Sequence, residues 1–193
     1  MIAKPLSSAA VEPHAAFEIT NENNYSPQRT MSMTKDQRAF RDALGRFATG
    51  VTVVTGLTPA GMPVGLTVSA FSSLSLSPPL VLICLDRATS ALGSFLDGHW
   101  FVVNVLGEAQ GDLASTFADI AADRFDGLTY ETWDSGCPIL FNCLANLECA
   151  TEAVYPGGDH IIVVGRIARS RWAESGRPLL HYGSAYASLD GKD

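Results

Sequence analysis

The apolar positions change period once along the chain. Phe40, Leu44 and Phe47 fall on one helical stripe, Thr34 and Gln37 have capping-box spacing, and Gly50 is placed to end the helix. From residue 51 onward the pattern is that of strands. VTVVT (51–55), VGLTVSAF (64–71), PLVLICL (79–85), WFVVNVL (100–106), LANLECATEAVY (144–155) and DHIIVVGRIARSRW (159–172) are β-branched or apolar runs bounded by Gly, Pro and Ser. Only two short helical patterns, 89–96 and 108–118, interrupt these runs, too few for alternating strand–helix–strand units. The expected fold is mainly β with flanking helices, an antiparallel barrel with the helices packed outside.

Residues 1–33 are rich in Ala, Ser, Pro, Glu and Asn without period and read as a flexible extension; 34–188 form the expected domain and 189–193 a tail. The extension carries one Lys and no apolar run of seven residues, so a secretory signal is not expected and the cytoplasm is the default compartment. The chain of 193 residues suits one compact domain. Its formal charge of −7, with no basic block, argues against nucleic acid as a partner. The longest apolar runs stop far short of the roughly 20 residues that cross a bilayer. Cys137, Cys143 and Cys149 recur at six-residue spacing with Cys84 apart, and no Cys-x-x-Cys pair occurs; free thiols are expected.

Several chemistries drop out on spacing. There is no Gly-x-Ser-x-Gly elbow, no P-loop, no Gly-x-Gly-x-x-Gly fingerprint and no His pair at i, i+4, so no metal site is expected. The unusual stretch is TVSAFSSLSLSPPL (67–80), where five Ser and one Thr crowd a strand–turn–strand segment. Two readings stay open from the residues alone. The hydroxyls face water or satisfy local turns, or they converge with backbone N–H groups on a phosphate or a planar ring.

The motifs FRDALGRFATGVTVVT, PVGLTVSAFSSLSLSPPLVLICLDRATS, WFVVNVL, GGDHIIVVGRI and PLLHYGSAY occur in that order. In this the chain resembles the short-chain flavin reductases, the reductase components of two-component flavin-dependent monooxygenases, over roughly residues 34–188. The resemblance implies a homodimeric split β-barrel that uses NADH or NADPH to reduce FMN or FAD and supplies a separate monooxygenase. It places flavin contacts on Pro63, Val64, Gly65, Leu66, Thr67, Ser69 and Ala70. It adds Cys84, Leu85, Asp86, Ser90 and Ala91, with the free N–H groups of a helix start suited to a phosphate. Arg87 is a candidate for the accompanying positive charge. Thr116 and Phe117 match a helix end that reaches the flavin, although Phe117 also fits a core stripe with Gln110 and Leu113.

The same resemblance assigns the nicotinamide nucleotide to Gly158, Asp159 and His160 and to His181, Tyr182, Gly183 and Ser184. His160 is the expected catalytic residue, its part being mainly to bind and place the nucleotide. NADH is favoured because no basic cluster accompanies residues 158–160, while Arg166, Arg169 and Arg171 keep NADPH open. Two competing readings share this kind of barrel: a flavin-binding electron carrier or sensor without turnover, and an enzyme like the pyridoxamine-phosphate oxidases.

Overall fold

The computed structural model describes residues 35–189. The expected extension over 1–33, the capping residue Thr34 and residues 190–193 of the tail lie outside them. Among the described residues are three α-helices, α1 (Lys35–Leu44), α2 (Leu92–Asp97) and α3 (Gly111–Ala118), and twelve strands. The fold is mainly β, as the strand runs predicted.

Seven strands form one antiparallel sheet: β2 (Thr52–Leu57), β3 (Pro63–Val68), β4 (Phe71–Leu76), β5 (Pro79–Asp86), β6 (Trp100–Val105), β9 (Ala145–Gly157) and β10 (His160–Trp172). Their order is β3-β2-β6-β9-β10-β5-β4. The sheet's central strands β2 and β6 are packed on both faces, which is why they read as nearly unbroken apolar runs, whereas β5 alternates and the edge strand β4 is largely exposed. Val54, Phe101 and Val103 point into one core with Val81, Ile83 and Leu85 of β5, Ile161 and Val163 of β10 and Phe95 of α2. The alternate residues Val51 and Val53 face a second core with Phe117 of α3, Leu106 and Leu140. Val68 of β3, at one edge of the sheet, shares the first core with β5 from the opposite side, so the sheet is rolled rather than flat.

Two small sheets lie outside these runs. β7 (Tyr130–Thr132) pairs with β8 (Pro138–Leu140), and β11 (Leu180–Tyr182) pairs with β1 (Thr49–Gly50) and β12 (Ala185–Ala187). Buried amides hold β8 in place. Asn104 Oδ1 accepts from Leu140 N at 3.0 Å and from Asn146 Nδ2 at 2.8 Å, while the Thr55 hydroxyl donates to Pro138 O at 2.5 Å. A paired network of this kind satisfies groups that would be costly to bury alone.

The first helix is shorter than its pattern predicts. It closes at Leu44, where Gly45 N–H donates to Arg41 O at 2.8 Å. Thr49 and Gly50 are instead drawn into a strand opposite His181 and Leu180, so Gly50 does not end the helix. Phe40, Leu44 and Phe47 remain 65%, 57% and 77% exposed.

Gly165 sits where β10 crosses the first core. A Cβ there would press into the Phe101 ring and lie 2.9 Å from Cys149 Cβ, and both side chains are fully buried. Gly165→Ala is expected to cost about 1–3 kcal/mol of stability through overpacking, read as a lower urea midpoint at unchanged slope. An unchanged midpoint would contradict this packing.

Candidate functional site

Pro63, Val64 and Gly65 open β3 and form one wall of a cleft of about 300 Å³. Ser90, Ala91 and Ser94, at and just before the start of α2, form a second wall, and Ile120, Ala122, Asp123, Arg124 and Phe125 form the third. The wall at Gly65 is tight. A Cβ there would lie 2.6 Å from Phe117 Cε1, and Phe117 is fully buried with its ring edge-on to Phe125 at 5.2 Å. Arg124 crosses from the third wall to the first: its Nη1 donates to Gly65 O at 2.6 Å and its Nε to Asp119 O at 3.0 Å. The start of α2 carries no side-chain cap. Its Leu92 and Ser94 N–H groups donate to Thr89 O and Ala91 O, so the polar groups this wall turns to the cleft are chiefly the Ser90 and Ser94 hydroxyls.

A second group of residues gathers where β5 meets β10. Cys84 N–H donates to Ala70 O at 3.0 Å, which sets Ser69 and Ala70 against the end of β5. Antiparallel pairing then places Leu85 opposite Ile161 and Asp86 opposite His160. Gly158, with φ +74°, and Asp159 form the two-residue turn between β9 and β10, a job that suits Gly at its first position. His160 Nδ1 lies 2.7 Å from Asp159 Oδ1. The contact with His160 holds the Asp159 carboxyl below its usual range, chiefly by this hydrogen bond. The folded value is therefore the lower one. The contact is fully present above the ordinary carboxylate range and is lost as pH falls through the lowered value. An ionised Asp159 accepts a proton-bearing Nδ1, leaving Nε2 for a ligand.

The segment 86–91 joins the two groups. Asp86 Oδ1 accepts from Ala88 N at 2.8 Å, Thr89 N–H donates to Asp86 O at 3.1 Å and Leu92 N–H to Thr89 O at 3.2 Å, so this short run turns from the β5–β10 edge directly into the cleft wall.

Not every expected site residue presents its side chain. Leu85 and Phe117 are fully buried. Leu85 can offer a ligand only its main chain, and the Phe117 ring backs Gly65 from the second core, the plain packing role its stripe allowed. Leu66 packs against the first core. The Thr67 hydroxyl donates to Ala114 O at 2.6 Å, and that of Thr116 to Asp112 O at 3.0 Å. Of the Ser-rich stretch, Ser72 and Ser73 are exposed on the edge strand β4, with Ser72 Oγ donating to Ser73 O at 3.0 Å. The water-facing reading describes that part.

His181 and Tyr182 lie on β11 of the small sheet, and Gly183 and Ser184 form the turn into β12. Their contacts run to Thr49, to Tyr186 across a ring distance of 6.2 Å, and from Gly183 N–H to Gly45 O at 2.9 Å. Arg124, Thr58 and Ser94 line the cleft without a sequence motif to announce them. The signal for Arg124 was a lone cation among Asp119, Asp123 and Asp126.

A family model for the flavin reductase-like domain matches residues 44–190. The chain belongs to this family. It is 44% identical over 132 residues to a probable flavin reductase from Rhizobium meliloti, covering 68% of this chain but only 42% of that relative. The reductase subunit of a flavin-dependent monooxygenase from Rhodococcus jostii is 37% identical over 155 residues, 80% of this chain and 79% of that one. Among solved structures, an NADH:FAD oxidoreductase from Streptomyces globisporus in complex with NAD and FAD fragments superposes with a TM-score of 0.76 at 34% identity, covering 83% of this chain and 97% of that one.

The cleft walls present small side chains and a glycine along one side, the Ser90 and Ser94 hydroxyls on another and the Arg124 guanidinium on the third, a lining whose chemistry suits a planar ring with polar edges. Arg124→Ala removes the charged donor to Gly65 O and frees the third wall. Flavin affinity is expected to fall about tenfold, read by quenching of flavin fluorescence. Unaltered affinity would show that this wall does not shape the site.

Proposed function

We propose that the chain is a flavin reductase that passes hydride from NADH to FMN or FAD and supplies the reduced flavin to a separate monooxygenase. The observation that carries this reading is the run 86–91, which links the cleft to the 158–160 turn, so that a flavin on one and a nicotinamide on the other are neighbours. The relatives named for flavin reduction, and the Rhodococcus subunit that serves a monooxygenase, support it.

Flavin and nicotinamide carry the electronic part of hydride transfer between them. The chain's task is therefore to hold two flat rings face to face at roughly 3–3.5 Å and keep water out. In this reading Pro63, Val64, Gly65, Leu66, Thr67, Ser69 and Ala70 border the flavin ring, and Cys84, Leu85 and Asp86 continue that border through their main chain. Ser90 and Ala91 take its phosphate, with Thr116 and Phe117 behind. Gly158, Asp159 and His160 orient the nicotinamide nucleotide, and His181, Tyr182, Gly183 and Ser184 add contacts from the small sheet. His160 positions the nucleotide rather than transferring a proton. His160→Ala should therefore raise KM for NADH or slow transfer without abolishing it. Loss of all activity with both ligands still bound would assign it a proton-donor role.

The rolled sheet is taken as a split barrel over residues 34–188, and the exposed Phe40, Leu44 and Phe47 as part of a face covered by a second copy. Among the described residues no helix is long and apolar enough to cross a membrane, and four free cysteines suit the reducing cytoplasm.

The test is direct: mix the protein with NADH or NADPH and excess FMN or FAD, and follow the nicotinamide absorbance. Consumption of many equivalents, fastest with NADH, is the expected result. One equivalent or none would identify a carrier instead.

A further inference from the structure

We propose that Arg87 is a positioning residue for the nicotinamide turn, acting as a neutral-length donor strut rather than as a charge for the flavin phosphate. This rests on the function proposed above for the cleft and the turn.

Arg87 touches the turn twice. Its backbone N–H donates to Asp159 O at 3.0 Å, and its side-chain Nε donates to Gly158 O at 2.9 Å. Both carbonyls of the two-residue turn are therefore held from one residue, and that residue follows Asp86, the strand partner of His160. The turn is exposed and tipped by a glycine at φ +74°, so it has no packing of its own to fix it. The ladders already pair His160 with Asp86 and with Gly157, so the base of the turn is set by the sheet. The bond from Nε to Gly158 O holds the tip of the turn, beyond the last ladder pair. Because Arg87 also lies in the 86–91 run that ends at Ser90 and Ala91 in the cleft wall, one short segment sets the spacing between the two cofactors.

The atom that does this is Nε, the inner nitrogen of the guanidinium. A glutamine side chain places its Nε2 the same number of bonds from the backbone and donates without charge. A lysine keeps the charge but has a methylene there. Arg87→Gln, Arg87→Lys and Arg87→Ala thus separate the strut from the charge. Three quantities are read on each protein: KM for NADH, flavin affinity by fluorescence quenching, and amide hydrogen exchange of peptides spanning residues 155–162.

Arg87→Ala is expected to raise KM for NADH roughly five- to tenfold and to speed exchange at the turn, with flavin affinity within about twofold. Arg87→Gln should restore most of both losses and Arg87→Lys little of either. The reverse order, with Lys restoring and Gln failing and flavin affinity falling in step, would overturn the proposal and make Arg87 a phosphate ligand. An Arg87→Ala protein with unaltered KM and unaltered exchange would overturn it as well. The exchange measurement does not depend on turnover. Should the unsubstituted protein leave NADH intact with either flavin, the proposed function fails, and the exchange of the Gln and Lys proteins still decides whether Arg87 holds the turn.

Discussion

The ladder between β5 and β10 is the constraint on which the site depends. Seven residue pairs, from His160 opposite Asp86 to Arg166 opposite Leu80, fix its register. That register is enforced by burial rather than by the ladder's hydrogen bonds. Val81, Ile83 and Leu85 on one strand and Ile161 and Val163 on the other all lie in the first core. Slipping either strand by one residue would turn its apolar set outward. The same slip would move Asp86 away from His160 and part the 86–91 run from the turn it supports. Core packing therefore sets where the 86–91 run, which leads into the cleft, meets the 158–160 turn.

With that register given, the cleft needs little specialised chemistry. Its walls are main chain, small side chains and a few donors, and two arginines, one in the cleft wall and one at the 158–160 turn, both spend donors on backbone carbonyls. Arg124 binds Gly65 O and Asp119 O, and Arg87 binds Gly158 O. These hydrogen bonds tie the third cleft wall to the first and the 86–91 run to the 158–160 turn. The thiols fit a passive role. Burial raises the Cys84 thiol above its usual range and pushes Cys143 up to about 11, so neither is an activated nucleophile at neutral pH.

Much of this was legible in the sequence, and the exceptions have physical reasons. The strand runs were readable because β2 and β6 are buried on both faces, leaving unbroken stretches such as WFVVNVL, and the others keep β-branched and apolar residues on the face turned to the first core. The short strands β1, β7, β8, β11 and β12 were not, since two or three residues carry no period and their pairing is set by partners up to 132 positions away, as between Thr49 and His181. The helix stripe of Phe40, Leu44 and Phe47 was read past Leu44 because apolar spacing continues where the backbone turns at Gly45. Ordered motifs marked the β3 start, the 86–91 run and the 158–160 turn. Arg124 went unseen because its partner Gly65 O lies 59 positions away, and a lone cation among Asp119, Asp123 and Asp126 does not say which carbonyl it reaches.

A crystal structure of the protein with FMN or FAD bound tests the central claim most directly. The account predicts the tricyclic ring along Pro63, Val64 and Gly65, the first phosphate at Ser90 and Ala91, and one open ring face directed to the turn that carries His160. A flavin seated instead on the β1–β11–β12 sheet, with the cleft between β3 and α2 left to solvent, would contradict it.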